Sequence, residues 1–210
     1  MKVRSKDFFS SEERTKIRLA VQEAEQNTSG EIAVALVDAS DAYHEAELLG
    51  AFLLSGLVSL ALALAFHFMT IWFFIPTATI LFFPSFYLLR LFPHWKLGLL
   101  NRRRIDQAVQ EKAISTFFLR GVHKTEAQTG ILIFISLLER KVWILADSGI
   151  NSRIKGDLWN SLAKELTTGI KEGRPFEALR TVIDKCGVEL TRYFPEKGGG
   201  ENQLSDDILC

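Results

Sequence analysis

Cysteine is scarce in this 210-residue sequence, which contains only Cys186 and Cys210. Two cysteines so far apart in the chain make neither a disulfide framework nor a zinc site. Cys186 falls on the apolar stripe of a predicted helix, so we expect it to be a small, buried hydrophobic residue. The four histidines are scattered, and the sequence has no phosphate-binding loop and no glycine-rich dinucleotide motif. We therefore assign no catalytic residue from the sequence.

Net charge is also lacking, because 25 Lys and Arg residues balance 25 Asp and Glu residues. A chain without excess positive charge gives no reason to expect a nucleic-acid partner. The first residues are charged, and no long apolar run follows before Leu48. We therefore do not expect a secretory signal peptide at this end of the sequence.

Formal charge is missing altogether from Leu48–Leu89, where His67 is the only side chain that could become positive. One helical membrane span takes about 20 apolar residues, so this segment is two spans long. We place them at Leu48–Phe68 and Ile71–Phe92, with the break at residues 67–70. The alternative is a helical hairpin buried in a soluble core. Helices that are apolar on all sides favour the membrane.

Positive charges lie on both sides of this segment, whereas its central turn has none. Because positively charged flanks stay in the cytosol, both termini and the soluble domain should be cytosolic. We expect a two-pass integral membrane protein, in the inner or plasma membrane if the source is bacterial. The run Arg102–Arg104 could be read as a nucleic-acid patch. Its place just after a span favours contact with anionic lipid headgroups of the bilayer instead.

Outside this segment, hydrophobic periodicity predicts helices and strands. Strands are predicted at Glu31–Val37, Gly130–Leu137 and Lys141–Ala146, and helices at residues 11–26, 102–119, 154–166 and 176–190. A long crossover joins the first two strands, which should therefore be parallel. The tight turn at Glu139 and Arg140 makes the third strand antiparallel.

These elements predict an α/β fold with a small mixed β-sheet covered by helices, an α/β/α sandwich. The transmembrane hairpin, residues 48–92, is inserted after the first strand. Residues 1–47 and 94–195 should form one discontinuous soluble domain. Residues 196–210 begin with a glycine triplet and are predicted to be a disordered tail.

The predicted topology brings two acidic residues to one edge of the sheet. Glu31 begins the first strand, Thr129 and Gly130 begin the second, and Asp147 ends the antiparallel third. Carboxylate and main-chain oxygens are the ligands that Ca²⁺ and Mg²⁺ prefer. Two structural alternatives stay open: Asp147 could cap the following helix, and Glu31 could pair with a surface cation. His123, in the loop that approaches this edge, could contact a ligand or face solvent.

Several segments form a recognisable pattern when they are taken in order: Phe9, Ser11–Glu13, Thr28–Ile32, Thr129–Ser136, Glu139–Arg140, Ala146–Ile150, Gly173–Pro175 and Phe194–Pro195. Together they resemble the TPM-domain family, which includes thylakoid-lumen photosystem repair proteins and many bacterial membrane proteins. The resemblance covers nearly the whole soluble part, about two-thirds of the chain. It implies an α/β/α sandwich, binding of Ca²⁺ or another divalent cation, and the acid-phosphatase activity attributed to plant members. It would place Glu31 and Asp147 at the metal site.

Together these observations predict a membrane-tethered, TPM-like binding module that assists the assembly or maintenance of a membrane protein complex. Its partners would be the lipid bilayer and another membrane protein. The alternative is a divalent-cation-dependent phosphatase acting on phosphomonoesters, with Ca²⁺ or Mg²⁺ held by Glu31 and Asp147. In either case the ligand-facing edge would include Ser29, Gly30, Thr129 and Gly149.

Overall fold

The computed structural model describes residues 4–67, 70–125, 128–154, 156–195, 204 and 206–209. The chain divides into two units. One unit combines Met1–Ser40 with Gln107–Cys210 and contains the sheet, and the other is Asp41–Asp106. Each unit is described separately below.

The sheet unit contains three strands, β1 (Glu31–Val37), β2 (Gly130–Ser136) and β3 (Lys141–Ala146), in that spatial order. β1 pairs in parallel with β2, and β2 pairs antiparallel with β3. Nearly every residue of β1 and β2 is buried, because both strands are apolar on both faces. The predicted mixed sheet and its strand directions are thus confirmed.

Helices pack against both faces of this sheet. Their bounds are α1 Ser5–Phe8, α2 Ser11–Glu25, α6 Arg102–Leu119, α7 Ser148–Asn151, α8 Gly156–Lys171 and α9 Pro175–Tyr193. One face, with Ile32 and Ile133, packs with α2, α8 and α9, and the other, with Leu132, packs with Val109 and Ala113 of α6. The alternation of side chains along each strand produces these two cores. The predicted combination of helices with a small sheet is confirmed.

α2 begins with a capping box. The Ser10 hydroxyl accepts a hydrogen bond from the Glu13 amide at 3.2 Å, and the Glu13 carboxylate accepts from the Ser10 amide at 2.8 Å. These bonds satisfy two backbone donors that the first turn of a helix leaves open. The local sequence therefore determines the residue at which α2 begins.

The second unit is a helical hairpin of α3 (His44–Ala65) and α4 (Ile71–Leu91), followed by the short α5 (Pro93–Leu97). Both long helices are apolar enough and long enough to cross a membrane. They approach closely at Gly50, where an added Cβ would lie 2.7 Å from Leu89. The Ser59 hydroxyl also donates to the Phe74 carbonyl oxygen at 3.0 Å.

The first of these helices begins at His44, four residues before the predicted start at Leu48. Its first turn carries Glu47, whose carboxylate lies 2.5 Å from the Lys96 ammonium in the same unit. This ion pair allows a charged residue to lie inside the buried base of the hairpin. Of the predicted break at residues 67–70, positions 68 and 69 lie outside the described residues.

Residues 196–210 were predicted to be a disordered tail. The structure describes positions 204 and 206–209 of this segment, and the others lie outside the described residues. Leu209 forms a parallel bridge with Ala35 of β1. Leu204, Ile208 and Leu209 are apolar and pack against the two cores, which explains why this part of the tail has a defined place.

Candidate functional site

Glu31, Gly130 and Asp147 form one row across the sheet. Glu31 is the register partner of Gly130, and the Asp147 amide donates to the Gly130 carbonyl oxygen at 2.9 Å. Because side chains alternate along strands, all three positions belong to the face that packs with α6. The two acidic residues are separated by two strand spacings, about 10 Å between Cα atoms. The structure thus places them on the predicted edge, with the glycine between them.

The middle of this row is covered by a short 3₁₀ helix, Val122–Lys124. A Cβ added at Gly130 would lie 2.3 Å from the Val122 carbonyl oxygen, so a larger residue would push this helix away. His123, in the same helix, lies beside Phe117 and Phe118, at centroid distances of 6.4 and 5.0 Å. The loop that precedes β2 therefore forms part of the candidate site.

Asp147 has a structural role at this edge. Its Oδ1 atom accepts a hydrogen bond from the Ser148 amide at 2.6 Å, which caps the start of α7. Its Oδ2 atom is buried and has no hydrogen-bond partner among the residues that the structure describes. The capping alternative is therefore observed.

Glu31 is buried beside a second carboxyl group that sequence reasoning missed. The Oε1 atom of Glu25 accepts a hydrogen bond from the Ile32 amide at 2.6 Å. Burial raises the pKa of Glu25 to about 8, the Ile32 bond opposes this rise, and the nearby charges of Glu31 and Asp206 add to it. The available signal was position: Glu25 lies four residues after Val21, on the apolar side of α2.

The remaining residues predicted at the edge are engaged in holding the turns together. The Thr129 hydroxyl donates to the Ser29 carbonyl oxygen at 2.6 Å, and Thr129 is fully buried. Gly30 lies so close to Leu190 of α9 that an added Cβ would be 2.6 Å from that side chain. Gly149 lies in α7, where its carbonyl oxygen accepts from the Ser152 hydroxyl at 2.7 Å. Their contact with a ligand stays a prediction.

The donor set falls short of the usual ligand number of a calcium site, which is about six to eight oxygens. Within the described ranges, no three His, Cys, Asp or Glu side chains are grouped so that they could hold a metal ion. A bound cation would need water molecules as additional ligands, beside Glu31, the Oδ2 atom of Asp147 and main-chain carbonyl oxygens. Such a set fits at most a weakly held hard cation.

A second polar cluster lies at the opposite edge of the sheet and also escaped the sequence analysis. The Ser40 hydroxyl donates to the Ser136 hydroxyl at 2.9 Å, and the Ser136 hydroxyl donates to the Glu139 carboxylate. The Ser40 amide donates to the same carboxylate at 3.0 Å. Ser136 is fully buried, and this cluster connects the segment after β1 to the β2–β3 hairpin.

Comparisons with known proteins agree with this architecture. Residues 100–188 match the family model described as the TPM domain. The NMR structure of the BA42 protein from the psychrophilic bacterium Bizionia argentinensis is similar to this chain, with a TM-score of 0.60 and 21% sequence identity. The similarity covers 96% of this chain and 94% of that one, and it shows a shared fold. No curated protein matches the chain significantly.

The matched residues contain α6, the β2–β3 hairpin and α8, together with Asp147 and Gly130 of the candidate site. The resemblance predicted from the sequence is therefore confirmed for residues 100–188, which match the TPM domain.

Proposed function

We propose that this protein is a membrane-tethered TPM-domain binding module that assists the assembly or maintenance of a membrane protein complex. The observation that carries the proposal is the exposed apolar surface of α3 and α4. Their most apolar windows are only 28% and 6% buried within the protein. A core helix of a soluble protein would bury most of such a surface, so lipid is the environment that suits these two helices.

Individual side chains support the same conclusion. Phe52 of α3 and Trp72, Ile80 and Phe83 of α4 are each at least 70% exposed. Large apolar groups in this number are rarely left in contact with water on a soluble protein. A tether of this kind confines the TPM domain to the membrane surface. The partner it meets most often is then another membrane protein.

Binding is the role that best suits the Glu31 edge. Thr129, Ser29 and Gly30 are packed or hydrogen-bonded to neighbouring backbone, which makes the edge a rigid platform. A rigid, preorganised surface loses little conformational entropy when it binds a partner. The carboxyl group of Glu31 and the Oδ2 atom of Asp147, which has no hydrogen-bond partner among the described residues, give this platform polar groups for recognition.

A divalent-cation-dependent phosphatase acting on phosphomonoesters is the second candidate. The buried Oδ2 atom of Asp147 favours it, because a cation would satisfy an oxygen that otherwise has no hydrogen-bond partner among the described residues. Ca²⁺ or Mg²⁺ bound there would supply positive charge against phosphoryl oxygens. Glu31 and Asp147 would be the protein ligands.

The two candidates can be separated with the full chain. In gently solubilised membranes, the binding module should migrate in native electrophoresis as part of an assembly well above its own 23.7 kDa plus detergent. The same protein, purified in detergent, should hydrolyse a phosphomonoester no faster than the buffer with Mg²⁺ or Ca²⁺. Migration of the chain alone, together with cation-dependent hydrolysis, would contradict the binding proposal.

Asp147→Asn is the decisive variant for this assay. The amide oxygen of Asn can still accept the Ser148 hydrogen bond and cap α7, while the charge that a cation needs is lost. Glu111→Gln, at an exposed site on α6, is the matched control. Hydrolysis that disappears in Asp147→Asn and persists in Glu111→Gln would establish the phosphatase. Equal background rates in all three proteins would exclude it.

A further inference from the structure

β1 is an edge strand of the sheet, and the C-terminal segment of the chain lies along the side of β1 that does not face β2. β2 occupies one side of β1, and Leu209 lies on the other. The Leu209 amide donates to the Val34 carbonyl oxygen at 2.9 Å, and the Leu36 amide donates to the Leu209 carbonyl oxygen at 2.8 Å. These two bonds extend the sheet as a fourth strand would. An uncovered edge of this kind readily pairs with another extended chain.

The side chains around this contact select a particular sequence. The Asp206 carboxylate accepts a hydrogen bond from the side-chain amide of Gln22 at 2.8 Å, and the Asp207 carboxylate lies 3.8 Å from the Arg18 guanidinium. The next two residues are aliphatic: Ile208 packs against the core that contains α2, and Leu209 packs against the opposite core. Acidic residues followed by two aliphatic ones are therefore the chemistry that this edge recognises.

The main-chain pairing at Leu209 is short. Leu209 contributes one bridge with two backbone bonds, and the Arg18–Asp207 pair is largely exposed to solvent. Ile208 and Leu209 are only partly buried. A longer extended segment could pair with more of β1 than this single bridge does. A partner segment could thus displace the tail from the edge of β1.

We propose that the edge of β1 is a strand-addition site for an extended acidic–aliphatic segment of a partner protein, and that the C-terminal segment of this chain occupies it until the partner arrives. The inference rests on the proposed binding function and names the surface and the peptide chemistry that it uses. Main-chain pairing supplies affinity at such sites, and flanking side chains supply specificity.

A labelled peptide with the sequence of residues 204–209 tests the proposal without any partner present. The full chain in detergent should bind it weakly, because the tethered tail competes at an effective concentration on the order of millimolar. In Leu209→Pro the tail loses its amide donor, and peptide affinity by fluorescence anisotropy should rise about tenfold or more. A peptide with an N-methylated leucine at the position of Leu209 should not bind that variant.

Hydrogen exchange gives a second measurement on the same proteins. The Leu36 amide, which donates to Leu209, should exchange faster in Leu209→Pro than in the full chain and should be protected again by the peptide. Unchanged exchange would overturn the proposal. Equal peptide affinity for both chains, or binding of the N-methylated peptide, would overturn it as well.

Two further outcomes distinguish strand addition by a partner from dimer formation and from the proposed binding function. Dimers of the intact chain that disappear in Leu209→Pro would identify a second copy as the occupant and overturn the partner proposal. The peptide assay is independent of the native electrophoresis described above. Failure of strand addition alone therefore does not contradict the binding module. A chain that migrates alone and shows cation-dependent hydrolysis contradicts the module even if the peptide binds.

Discussion

At the scale of single residues, Glu25 should determine part of the pH dependence of stability. Burial raises its pKa to about 8 from an ordinary value near 4.5. Between these two pH values the folded chain holds a proton that the unfolded chain has released, so the free energy of unfolding falls as pH rises. The contribution is fully present below pH 4.5 and is lost as pH rises through 8.

Glu25→Gln removes this dependence while keeping an oxygen that accepts the Ile32 amide hydrogen bond. We expect the melting temperature of the wild-type chain in detergent to fall between pH 5 and pH 8, and that of the variant to fall less. The neighbouring exposed residue on α2 provides the control, because Glu23→Gln should keep the wild-type slope. Identical slopes for Glu25→Gln and the wild type would show that this carboxyl group is ionised in the folded protein.

At the scale of elements, the strands could be predicted because local sequence alone determines their pattern. Glu31–Val37 and Lys141–Ala146 match the predicted strands residue for residue, and β2 ends one residue earlier than expected. Each apolar run is too short and too rich in β-branched residues for a helix of the usual length. The mixed strand order followed from connection lengths, which are also visible in the sequence.

The parts that could not be predicted depend on contacts between distant residues. Glu47, in the first turn of α3, pairs with Lys96, which lies 49 positions later in the chain. The predicted topology placed the candidate edge correctly. The contact of Val122 with Gly130 and the position of Glu25 near Glu31 arise from tertiary packing, which the local sequence does not indicate. The sequence of this short polar tail likewise does not predict that Leu209 pairs with β1.

The base of the hairpin should depend on the pair of Glu47 and Lys96, whose side chains are each less than 10% exposed. Lys96→Met would remove the ammonium group that pairs with the buried carboxylate of Glu47 and leave it only the contact with His44 at 3.2 Å, at a cost of about 3 kcal/mol in the free energy of unfolding. The double variant Lys96→Met with Glu47→Leu should recover most of this loss, because it buries no unpaired charge. Thermal unfolding in detergent measures both effects.

Arg90→Met is the control for this comparison, since it removes an exposed positive charge from α4 in the same unit. We expect it to change stability little. A double variant that is no more stable than Lys96→Met would mean that the methionine itself disturbs the packing. The ion pair would then not be the cause of the loss.

At the scale of the whole molecule, the sheet constrains how the chain can cross a membrane. β1 precedes the hairpin of α3 and α4, β2 follows it, and the two strands pair along their whole length. Strands that pair must lie on the same side of the bilayer. If the hairpin is in the membrane, it must therefore contain an even number of spans, which agrees with the two candidate spans among the described residues. This argument uses pairing alone and does not depend on the charge distribution.

The charge distribution then predicts which side holds the sheet. Arg90, Lys96 and Arg102–Arg104 follow the hairpin closely, and the turn between the helices has no Lys or Arg. Positive flanks are retained in the cytosol. A reporter that is active only in the cytosol should therefore be active when it is fused before Met1 and when it is fused after Cys210. A cysteine introduced at Thr70 should react with a membrane-impermeant reagent added from outside. Two reporters active outside would reverse the orientation and leave the hairpin intact. Reporters on opposite sides would contradict the hairpin itself, because β1 and β2 could then not pair.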